Sequence, residues 1–90
     1  MSHTIKRLKT ALSPLASIHL DIRDDSALHV GHAGNTGGAH FSLTIVSEAF
    51  DGLSLLKRHR LVYEAASSLM KSDIHALSIK AFTPAEYHSR

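Results

Sequence analysis

Ninety residues suffice for one domain and no more, because a chain of this size buries only about 60% of its unfolded surface and cannot divide that between two cores. A composition that is 43% hydrophobic and 20% charged excludes a disordered or fibrous chain, and a formal charge of +2 is too slight for a general nucleic-acid footprint, so only a local basic patch could serve that purpose. Cysteine is absent, which excludes a disulfide framework, a thiol nucleophile and a thiolate metal ligand; any metal must be held through nitrogen or oxygen. No apolar run reaches the roughly 20 residues of a membrane span, and Met1 to Lys9 carries charges with no apolar stretch behind it, so the expectation is a soluble, unexported, cytoplasmic protein.

In chain order, Ile5, Leu8, Ala11, Leu12 and Leu15 recur at helical spacing until Ser13-Pro14 interrupts them, predicting a short amphipathic helix. Ile18, Leu20 and Ile22 then alternate with His19, Asp21 and Arg23, the period of a half-buried strand. Ala27 to Ala39 has no period and holds four of the five glycines, which predicts a loop that stays unordered without a partner. Alternation resumes with Phe41, Leu43 and Ile45 on one face and His40, Ser42 and Thr44 on the other. After a turn at Ser47 to Gly52, the residues Leu55, Leu56, His59, Val62, Tyr63, Ala66, Leu69 and Met70 form the apolar stripe of one long helix. Leu77, Ile79 and Ala81 mark a third strand, and Thr83-Pro84-Ala85-Glu86 combines a capping threonine, a proline at the first helical position and a glutamate at the third. The fold class is α+β, a single domain over residues 1–90. Its order is helix-strand-strand-helix-strand, with the helices covering one face of a mixed three-stranded sheet and the second and third strands parallel.

Histidine is the unusual residue, at positions 3, 19, 29, 32, 40, 59, 75 and 88. His59 lies in the helical stripe and reads as a packing residue; His3, His19 and His88 need no function. His29 and His32 could hold a metal through neutral imidazoles, with His40 or His75 as further donors, but this chain offers no fourth strong ligand. Such a site is either catalytic or completed by another molecule. The sequence has no H-E-x-x-H helix, no G-x-S-x-G elbow and no P-loop, which argues against an enzyme. Gly31-His32-Ala33-Gly34 matches the GxxG loop of KH domains but lies between strands rather than helices, and is read as coincidence. Lys57, Arg58 and Arg60 cluster in the first turns of the main helix, where they could bind phosphate or form a solvated face with Arg60 and Glu64 paired at i, i+4.

Four stretches taken together resemble the BolA family, from about Ile5 to Glu86. They are Asp24-Asp25-Ser26-x-x-His29-x-Gly31-His32, His40-Phe41-x-x-x-Ile45-Val46-Ser47, Phe50-x-Gly52 followed by Arg58-His59-Arg60-Leu61-Val62-Tyr63, and Ile74-His75-Ala76-Leu77-Ser78-Ile79. The resemblance implies a class II KH-like topology and a non-enzymatic partner of monothiol glutaredoxins bearing a Cys-Gly-Phe-Ser site. The two proteins would share a 2Fe-2S cluster, with thiolates from the glutaredoxin and glutathione. In the family the remaining ligands map onto His75 and, by the Asp-x-Ser-x-x-His spacing, His29, with His32 as the alternative. Histidine in place of thiolate makes a less negative, higher-potential and more labile centre, suited to trafficking or to iron and redox sensing. Family members are also regarded as DNA-binding regulators of growth, morphology and stress genes, a role that would fall to Lys57, Arg58 and Arg60. Alone, such a protein is expected to be a monomer or weak homodimer.

Overall fold

A computed structural model of the chain describes residues 3–25, 39–72 and 74–89. The elements are α1 (His3–Leu12) with a 3-10 turn (Ser13–Leu15), β1 (His19–Asp24), β2 (Ala39–Val46), a second 3-10 turn (Glu48–Phe50), α2 (Leu55–Ala65), α3 (Ser67–Ser72), β3 (Ile74–Phe82) and α4 (Pro84–His88). The strands form one sheet in the order β1-β2-β3, with β1 antiparallel and β3 parallel to β2, as the alternation and the intervening helix require. Leu8, Leu12, Phe41, Leu43, Ile45, Phe50, Val62, Ala66 and Leu69 make a single core between the helices and one face of the sheet. Burying such side chains stabilises by about 1.5–3 kcal/mol each, which is how a 90-residue chain without cysteine offsets its chain entropy.

The main helix departs from expectation in two respects. It is broken at Ala66, whose backbone leaves the helical region at φ −96° and ψ 10° before Ser67 and Ser68, residues whose hydroxyls compete for backbone hydrogen bonds. It is also rotated: Leu55 and Leu56 are 65% and 61% exposed, and the buried face runs through Arg58, Val62, Ala66 and Leu69. The 4-4-3 spacing is as helical as the predicted stripe, but a buried arginine cannot be read from an apolar pattern.

The sheet's second face carries His19, Asp21, Arg23, Ser42, Thr44, Ser78 and Lys80, and is closed at one end by α4. Tyr87 stacks on His19, with ring centroids 5.1 Å apart, and meets Phe82 at 5.8 Å; beneath them Val46 is fully buried. At the start of α4 the predicted capping box is complete: Glu86 N–H donates to Thr83 Oγ1 at 3.2 Å, and Thr83 N–H to Glu86 Oε1 at 2.9 Å. Buried Ser47 joins three elements, donating to Leu15 C=O, accepting from Ala49 N–H at 3.0 Å and donating its own N–H to Phe82 C=O at 3.0 Å.

Candidate functional site: an imidazole pair at a sheet end

β3 begins two residues earlier than the apolar alternation suggests, so His75 stands inside the strand. The β2-β3 register pairs Ala39 with Ile74 but His40 with Ala76, leaving His75 as an extra residue in β3. An extra residue breaks the two-residue alternation and re-aims a side chain, and such bulges recur beside functional sites. Here Ile74 keeps its place in the core while the His75 ring stands exposed, 5.2 Å from the half-buried ring of His40 at an interplanar angle of 51°.

The strand ends around this pair are pinned. The His40 carbonyl accepts the Asp25 N–H at 2.7 Å, and the Asp25 carboxylate accepts Arg23 Nε at 3.1 Å and the Ser42 hydroxyl. Asp25 and Ala39, the residues between which the histidine-bearing loop runs, are therefore fixed at the same end of the sheet as His75. His29 and His32, and the expectation about their loop, lie outside the described residues. Among the described residues no three His, Asp or Glu side chains gather into a metal site, so His40 and His75 offer two nitrogen donors and no more. Alternation placed His40 on the solvent face, but its approach to His75 depends on the bulge, which carries no sequence signal of its own.

The basic cluster requires a correction. Arg58 is 7% exposed and belongs to the interior, not to a solvated face. Its Nε donates to Leu53 C=O at 3.0 Å, its Nη1 to Ala81 C=O at 3.2 Å, and its two terminal nitrogens to the Glu86 carboxylate at 2.6 and 3.1 Å. The hydrogen bond from Arg58 and the Thr83 N–H hold the Glu86 carboxyl down to about 2, and the same Arg58-Glu86 bond raises the guanidinium above its ordinary value. Lys57 and Arg60 remain exposed, and the predicted Arg60-Glu64 ion pair is not formed among the described residues. The charges are nevertheless segregated. α1, α2 and α3 expose Lys6, Arg7, Lys9, Lys57, Arg60 and Lys71 against the single carboxylate of Glu64, whereas Asp21, Asp24, Asp25, Glu48, Asp51 and Glu86 lie on the sheet, its turns and α4, where Arg23 and Lys80 are the exposed Lys and Arg among the described residues. A net charge of +2 conceals this division.

These features define a small α+β protein that presents an imidazole pair at the end of a three-stranded sheet and a cationic layer of helices behind it. The family model described as BolA-like protein matches residues 8–86, and the chain belongs to the BolA family. It is 47% identical over 87 residues to SufE-like protein 1, chloroplastic/mitochondrial, of Arabidopsis thaliana, a match covering 90% of this chain and 23% of that protein. The solved BolA domain of SufE1 from the same plant superposes with a TM-score of 0.82 at 46% identity, covering 96% of this chain and 98% of that one. The DNA-binding transcriptional regulator BolA of Escherichia coli strain K12 is 30% identical over 82 residues, 91% of this chain and 73% of that protein. The chain thus spans about a quarter of the first of these relatives. No helix among the described residues is long and apolar enough to cross a membrane.

Proposed function

We propose that this protein is a non-enzymatic partner of a monothiol glutaredoxin, with which it holds a 2Fe-2S cluster for iron-sulfur trafficking or for iron and redox sensing. The observation that carries the reading is the bulge at His75, which sets an exposed imidazole beside His40 at the sheet end where the His29-bearing loop is anchored. The donor set fits a shared cluster. This chain supplies imidazole nitrogen and no thiolate, so His75 with His29, or His32 in its place, would hold one iron while the glutaredoxin and glutathione supply thiolates to the other. Free thiolates call for a reducing compartment such as the cytoplasm.

The test mixes the protein with a Cys-Gly-Phe-Ser glutaredoxin, iron, sulfide and glutathione, and compares visible absorption and circular dichroism with those of the glutaredoxin cluster alone. A changed spectrum that reverts in His75→Ala is expected. An unchanged spectrum, or one indifferent to His29→Ala and His75→Ala, refutes the reading.

A second reading, a DNA-binding transcriptional regulator, is favoured by the cationic helical layer and by the name of the Escherichia coli relative. Its contacts would be Lys57 and Arg60, joined by Lys6, Lys9 and Lys71 in place of Arg58. Lys57→Ala with Arg60→Ala should lower the salt slope of duplex binding by about one per lost phosphate contact. A slope that stays the same counts against it.

A further inference from the structure

The two edges of the sheet are treated differently. On β3, the outward carbonyls of Leu77 and Ala81 are taken by side chains of α2: Tyr63 donates its hydroxyl to the first at 2.9 Å and Arg58 its Nη1 to the second at 3.2 Å. Such cover blocks a further strand from adding there. β1, at the other edge, has no such guard among the described residues. The bond from Asp25 N–H to His40 C=O and the register of the pair turn the backbone groups of residues 19, 21 and 23 toward β2. Leu20 and Ile22 therefore point their N–H and C=O outward, and no described residue bonds them. Their side chains are only half-buried, and Ile18 beside them is 62% exposed.

The charges on this edge are self-complementary. If a second β1 lies antiparallel with the two-fold axis at Ile22, each Ile22 bonds its counterpart through both outward backbone groups. The flanking pairs are then Asp21 opposite the second copy's Arg23, and Arg23 opposite its Asp21. These are the non-hydrogen-bonded pairs, in which side chains approach most closely. An axis at Asp21 or Arg23 would instead oppose like charges. Asp21 has no ion pair among the described residues, and Arg23 is 75% exposed with only its Nε engaged, on Asp25.

We propose that β1 is a homodimer edge, pairing with β1 of a second copy in the Ile22-centred register to give a continuous six-stranded sheet. The interface is small, so the association is weak and concentration-dependent. It does not rest on the glutaredoxin reading.

The test is sedimentation equilibrium from about 10 μM to about 1 mM, the range in which an interface this small would assemble. The wild-type chain should dimerise. D21R and R23D, both exposed substitutions, should each raise the dissociation constant about tenfold or more, because each replaces two attractive cross-strand pairs by two repulsive ones. D21R mixed with R23D should form a heterodimer, and the double variant D21R/R23D should recover self-association. Slower amide exchange at Leu20 and Ile22 on concentration would place the contact on this edge. A chain that stays monomeric throughout overturns the proposal, as does a dimer indifferent to the charge swaps or one that leaves those two amides unprotected.

Discussion

Replacing Arg58 by alanine tests whether the most buried cation among the described residues serves the fold or a ligand. The guanidinium makes four hydrogen bonds, two to backbone carbonyls and two to Glu86. Hydrogen bonds between neutral groups contribute about 0.5–1.5 kcal/mol each, and leaving a buried acceptor such as the Ala81 carbonyl unpaired costs about 1–3 kcal/mol. The ion pair adds less than a fully buried one would, because the Glu86 side chain is 46% exposed to water. Together these give a loss of about 3 kcal/mol for Arg58→Ala. In a domain of this size that lowers the melting temperature by about 12–24 °C, measurable by far-ultraviolet circular dichroism with a parallel urea titration. The same variant, studied below its melting temperature, should leave the salt slope of any duplex binding unchanged. A loss under about 1 kcal/mol, or a reduced salt slope in a stable Arg58→Ala protein, would refute the assignment of Arg58 to the interior.

The Glu86 carboxyl, ordinarily at 4.5 and held near 2 in the fold, contributes stability that is complete above about pH 4.5 and is lost as pH falls toward 2. Urea midpoints of wild type and Glu86→Gln should therefore differ at pH 7 and converge by about pH 2; a constant difference would contradict the linkage. Ser47→Ala removes a buried donor to Leu15 C=O and an acceptor for Ala49 N–H, and should cost about 1–3 kcal/mol in a denaturant titration with the m-value unchanged. Tyr63→Phe frees the Leu77 carbonyl, and should cost about 0.5–1.5 kcal/mol while leaving the backbone fold intact by amide chemical shifts.

Much of the fold was legible because the three strands alternate cleanly and α1 keeps helical spacing, so each element's buried face follows from its own residues. Parallel pairing of β2 and β3 followed from the helix between them. The rotation of α2 was hidden, because its inner face includes an arginine whose partners, Leu53, Ala81 and Glu86, lie in other segments. Glu86 was legible as a capping residue but not as that arginine's counter-ion, since one carboxylate performs both tasks. At the site, family resemblance pointed to His75. Its nearness to His40 was not legible, because the inserted residue that creates it looks in sequence like any other position of β3.

The inserted residue leaves one position of β3 free to vary. Ile74 and Ala76 keep the register with β2, and the position between them is supernumerary to the ladder, so its side chain is constrained neither by the core nor by a register partner, and among the described residues meets only the ring of His40. A donor placed there can be exchanged for one of different hardness, charge or basicity without repacking the domain. Under the proposed function, the choice of metal ligand on this scaffold would thereby rest on a single position, with the cost of folding left almost untouched.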